Sequence, residues 1–157
     1  MDATLLFWTG AFANMALVLG LAIAGVRRRR KGDVPGHARC MLAAAALVGL
    51  FLLSYGLKLA YLGPEALSTW SPTAVSVLRL HELCVATMLL GGGAAALRAR
   101  RLRRTRNATH DPSDPPAPGS VARWHRRAGW AAVVGAGLGF ATAGLVLAGM
   151  YQRAGLI

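Results

Sequence analysis

Four long, predominantly apolar runs constrain this chain more than anything else in it. They cover about residues 4–26, 40–62, 74–97 and 128–151. A straight helix needs roughly 20 apolar residues to cross the hydrocarbon of a bilayer, and each run reaches that length. Inside a bilayer the backbone finds no water, so such a run must satisfy its own N–H and C=O groups as a helix. The expected fold is therefore all-α: an integral membrane four-helix bundle, up-down-up-down, forming a single membrane domain over residues 1–157.

The third run is the unusual one. It carries Arg79, His81 and Glu82 among apolar neighbours. Ionisable groups at membrane depth are costly, so they pair, face a protein interior or serve a function. Arg79 and Glu82 are three apart on one helix and can pair directly. Lys58, in the outer half of the second run, is a second candidate partner for Glu82. The functional alternative is a polar outer site in which His81, Glu82 and Tyr55 take up a metal or relay protons. Lys58 lies about one turn from the end of its run, so its amine is expected to snorkel to the outer interface. Asn14, near the middle of the first run, needs a hydrogen-bond partner in hydrocarbon and is expected to face another helix.

The net charge of +12 would point to nucleic acid in a soluble chain, but its placement points elsewhere. Of 18 Lys and Arg residues, 15 fall in two blocks, Arg27 to Arg39 and Arg98 to Arg127, each between apolar runs. That is the positive-inside pattern of a membrane protein, and basic loops of this kind attract anionic headgroups of the lipid bilayer. No aromatic-basic interleaving accompanies the charge, so nucleic-acid binding is not expected. The expected orientation puts both termini outside and the basic loops in the cytoplasm. The Pro-rich stretch within residues 98–124 reads as a flexible linker, and the Gly32–Gly36 segment as a turn ending in helix breakers.

Small residues mark helix contacts. Gly135 and Gly139 share one helical face, Gly137 and Ala141 another, and Gly91–Gly93 lie near the end of the third run. Each set allows close approach of a neighbour. Cys40, Cys84 and the methionines read as packing residues. The halves also look alike. Each has a helix ending in a basic cluster, a Pro-containing turn, then His-x-Arg (His37 and Arg39, His125 and Arg127) before the next helix. A duplicated helical hairpin would relate the halves by an axis along the membrane normal.

Four histidines are present. His110 lies in the linker and is expected to be solvated. His37 and His125 lie at similar depth at the cytoplasmic starts of the second and fourth helices and can meet across the bundle. His81 lies roughly 10 Å below the outer end of the third helix at 1.5 Å per residue, most of a membrane thickness from the other two. Imidazole is a good ligand for haem iron and for copper, so His37 and His125 are candidate joint ligands. The alternative has both bonded to helix ends or lipid phosphate. No GxSxG, HExxH, P-loop or dinucleotide motif is present, and a non-enzymatic role is expected.

The order of these motifs resembles the CtaM/YozB-like family of bacterial four-helix membrane proteins. The matching pieces are Asn14, His37-Ala38-Arg39-Cys40-Met41, Phe51-Leu52-Leu53-Ser54-Tyr55, Leu80-His81-Glu82-Leu83 and His125-Arg126-Arg127. The resemblance implies a maturation or assembly factor for haem-copper terminal oxidases in the bacterial cytoplasmic membrane, with oxidase subunits as partners. It further implies haem or copper as cofactor, with His37, His81 and His125 as candidate ligands. The family pattern has another histidine four residues after the tyrosine, where this chain has Leu59. A paired site is therefore better sought at His37 and His125. Two other roles fit the same residues: a small haem-bearing electron-transfer protein, and a structural accessory subunit of a respiratory complex.

Overall fold

In a computed structural model the chain forms α1 (Ala3–Arg30), α2 (Val34–Leu62), α3 (Pro72–Leu102), a single turn α4 (Arg106–Thr109) and α5 (Gly119–Arg153). The structure describes residues 2–157, the Asn107 side chain excepted. The four long helices are each long and apolar enough to cross a membrane. The chain is a multi-pass membrane protein built as a helical bundle.

Every helix outruns its apolar segment. Basic residues extend α1 to Arg30 and α3 to Leu102, and they form the first turns of α5. Arginine is a good helix former, so a charge run that leaves the hydrocarbon need not leave the helix. The Gly32–Gly36 segment also departs from its expected reading. Helix α2 starts at Val34, with Asp33 as N-cap accepting from the Gly36 amide at 2.8 Å. Pro35 sits in the first helical turn, where a missing N–H breaks no helical bond. A Cβ at Gly36 would collide with the Asp33 carboxylate, so glycine there keeps the cap. Asp2 caps α1 and Ser71 caps α3 in the same way. Gly63, at φ 70°, closes α2 in a conformation that suits glycine.

Close helix packing runs in the order α2, α1, α5, α3. The α3–α5 contact is the most extensive and is set by glycine. A Cβ at Gly135 would meet the Cys84 carbonyl oxygen and the Met88 nitrogen of α3, both at 2.8 Å. A Cβ at Gly91 would meet the Ala128 oxygen at 2.8 Å and the Ala132 nitrogen at 2.9 Å. Without side chains in the way, backbones approach and gain dispersion contacts, the main attraction between helices in lipid. The expected contact at Gly91–Gly93 is thus made by Gly91, while that at Gly137 does not occur: no atom of another helix lies within 4 Å of a Cβ built at Gly137, Gly92 or Gly93. Helices α1 and α5 meet through Phe12 stacked on Phe140, centroids 4.6 Å apart, and through Thr9 bonded to the Tyr151 hydroxyl.

Among the described residues no large side chain is fully buried, while Leu53, Leu57, Leu83, Leu90 and Leu145 are exposed. These faces suit lipid rather than water. The α1–α2 turn and the α3–α5 connection emerge at one end, so both basic blocks share it. That end is called inner below, and the end carrying residues 63–71 outer.

Candidate functional site

The inner end brings His37 and His125 together. Their rings stand edge to face at 85°, with centroids 6.5 Å apart. Each ring is fixed by a backbone carbonyl of the helix that precedes it in its own hairpin. His37 Nδ1 of α2 lies 2.9 Å from the Gly25 oxygen of α1. His125 Nδ1 of α5 lies 3.0 Å from the Ala95 oxygen of α3. A carbonyl only accepts, so Nδ1 is the protonated nitrogen in both rings. In the neutral imidazole that leaves Nε2 with a free electron pair, the form in which histidine binds metals. The two halves thus repeat one latch, histidine on the second helix to carbonyl on the first.

His81 carries the reverse latch at another level, from the first helix of its hairpin to a carbonyl of the second. Its Nδ1 lies 3.0 Å from the Gly139 oxygen and 3.2 Å from the Thr142 hydroxyl of α5. Gly139 follows His125 on the same helix, so His81 stands roughly 21 Å from the inner pair at 1.5 Å per residue. Three histidines therefore make two stations. Among the described residues no group of three or more His, Cys, Asp and Glu is gathered as for a metal ion. The inner pair brings two imidazoles together.

The inner pair sits in a cationic setting. Arg98 and Arg127 flank the Trp124 ring at 5.7 and 5.8 Å from its centroid. At the α1–α2 turn Asp33 is held below the ordinary carboxylate range, first by the Gly36 amide and then by the Arg28 guanidinium. Arg28 and Asp33 pair at 3.0 Å.

The outer polar residues do not form the site that His81, Glu82 and Tyr55 would have made. Glu82 pairs with Arg79 at 2.8 Å, both side chains being at least half exposed. Tyr55 packs against Trp8 and Phe51. Lys58 departs from the snorkelling expectation: it is 5% exposed and bonds the Gly63 oxygen at 2.6 Å and Glu65 Oε1 at 2.5 Å. Glu65, two residues beyond Gly63, turns back over the end of α2 and also accepts from Trp8 Nε1 at 2.7 Å. Lys58 finds that carboxylate before it finds a headgroup. A cleft of about 460 Å³ opens beside the pair, with Arg153 standing over the Trp70 ring at its rim. Asn14 is half-buried and makes no side-chain hydrogen bond among the described residues, contrary to expectation. Leu59 is partly exposed on α2.

No family model, curated protein or solved structure matches this chain.

Proposed function

We propose that this chain is a non-enzymatic membrane factor for maturation of a haem-copper terminal oxidase, and that it holds haem between His37 and His125. The observation that carries the reading is the geometry of that pair. Two imidazoles on opposite sides of one metal ion, with metal–nitrogen bonds of about 2 Å, have centroids roughly 6 to 6.5 Å apart. The pair stands at 6.5 Å. Both Nδ1 protons are committed to carbonyls, so both free electron pairs are on Nε2. Bundle cores are a normal place for such sites.

Haem, when bound, supplies a redox-active iron and two carboxylates. The protein's own part is to orient two imidazoles, exclude water with apolar helices and meet the carboxylates with arginines of the inner end. Placing that end in the cytoplasm follows from the positive-inside pattern. It puts both termini outside a bacterial cytoplasmic membrane and leaves the exposed leucine faces to lipid or oxidase subunits.

The test is the full chain purified in detergent and titrated with hemin. A Soret band characteristic of two histidine ligands, lost in His37→Ala and in His125→Ala, is the expected result. A wild-type protein that stays colourless removes the haem assignment. Loss of oxidase activity on deletion of the chain from its host, restored by the wild-type chain, tests the maturation role separately.

A further inference from the structure

The cleft beside Lys58 and Glu65 lies where three long helices end at the outer side. Its walls come from the start of α1, the ends of α2 and α5, and the segment between α2 and α3. Trp8, Trp70 and Tyr151 stand at the same end, and aromatic belts of this kind mark the level of lipid headgroups. A volume of about 460 Å³ suits a small-molecule site. Its charged lining is Asp2, Lys58, Glu65 and Arg153, two of each sign, so the lining carries no net charge. Lys58 is fully engaged, by the Gly63 oxygen, by Glu65 and by the Trp8 ring at 5.8 Å. Glu65 is not. Lys58 and Trp8 both donate to its Oε1. No unpartnered side-chain oxygen is buried among the described residues, so Oε2 is open to accept. The Arg153 guanidinium lies 4.0 Å from the Trp70 centroid and pairs with no carboxylate among the described residues. Stacking occupies its face and leaves the N–H donors of its edge.

We infer that this cleft binds a phosphoethanolamine group. Its phosphate accepts from the planar fork of Arg153. Its primary ammonium donates to Glu65 Oε2, and Asp2 adds a second negative charge to the same lining. The neutral balance of the lining selects a zwitterion, because a headgroup that is anionic overall brings charge that nothing here offsets. The chemistry also selects a primary ammonium over a quaternary one. A trimethylammonium has no N–H to donate, and its recognition takes open aromatic faces. Arg153 already covers a face of Trp70. Leu5, Leu62 and Met150 line the cleft beside the charges and suit the acyl chains of a lipid. Free phosphoethanolamine would use the charged groups alone. The cleft shares no residue with the inner pair, so the two assignments stand or fall separately.

The experiment titrates the full chain in detergent with phosphatidylethanolamine, phosphatidylcholine and phosphatidylglycerol of identical acyl chains, with bound lipid read by native mass spectrometry. One phosphatidylethanolamine per chain is expected, at least about 10-fold tighter than either of the others, the discrimination that a hydrogen bond to a charged group supplies. Arg153→Gln should erase that preference. Arg79→Gln, which removes an exposed arginine outside the cleft, should leave it unchanged. Should Arg153→Gln fail to fold by circular dichroism, Arg153→Lys decides, since it keeps the charge and loses the planar fork. Competition with soluble phosphoethanolamine identifies the source. Displacement of the lipid at comparable affinity assigns the site to the free compound, and failure to displace assigns it to the lipid. Equal affinity for the three lipids overturns the proposal, as does a preference for phosphatidylcholine or phosphatidylglycerol, or a phosphatidylethanolamine preference that survives loss of Arg153.

Discussion

His37 and His125 face each other across the inner end at 6.5 Å, each held by the carbonyl of a different helix, Gly25 of α1 and Ala95 of α3. The pair therefore depends on both hairpins. His81 does not take part in it. Substituting His81 by Gln is expected to leave the visible spectrum of the hemin-loaded chain unchanged, while His37→Gln or His125→Gln alters it. Absorption spectra of the three variants at equal loading check this. A spectrum that responds to His81 and ignores His125 would move the haem assignment to the other station.

Lys58 and Glu65 form the most enclosed ion pair, with side-chain exposures of 2% and 18%. Removing one partner strands the other charge, while removing both leaves little to strand. Lys58→Met alone should destabilise the chain by about 1–3 kcal/mol, the range for an unsatisfied buried polar group. The double variant Lys58→Met, Glu65→Gln should recover much of that loss. Thermal unfolding in one detergent, read as a double-mutant cycle, measures the coupling. By contrast the exposed Arg79–Glu82 pair should contribute less than about 1 kcal/mol by the same method.

Gly135 and Gly137 are two residues apart on α5, yet only the first meets another helix. Gly135→Leu should force α3 and α5 apart and destabilise by at least about 1–3 kcal/mol, the usual penalty of overpacking. Gly137→Leu should be tolerated. Melting temperatures in detergent, with helix content followed in parallel, distinguish the two.

Asp33 carries a pH dependence at the inner turn. Its carboxyl is depressed first by the Gly36 amide and then by Arg28. A carboxylate stabilised in the folded state contributes fully above the ordinary carboxylate range. That contribution declines as pH enters the range and is gone once pH falls through the depressed folded value. The carboxyl resonance of Asp33 should titrate below that of a free aspartate. Arg28→Gln should raise its midpoint only part of the way, since the amide bond remains.

The sequence made the four helices legible because a span of apolar residues has only one way to satisfy its backbone in lipid. Their ends were less legible, since arginines that continue a helix read like a loop, and Pro35 marks a helix start as readily as a stop. The meeting of His37 and His125 followed from equal depth. The Lys58–Glu65 pair did not, because it requires knowing that residues 63–65 turn back over the end of α2. The contacts at Gly139 were also hidden: that Met15 and Cys84 pack on it and His81 bonds its carbonyl depends on the rotation of α1 and α3 about α5.

The packing order α2, α1, α5, α3 makes the inner histidines a second brace between the hairpins. The first brace is the seam where Phe12 lies on Phe140 and Met15 on Gly139. Two braces at different depths fix the tilt of one hairpin against the other as well as their separation, as two screws hold a plank that would swing on one.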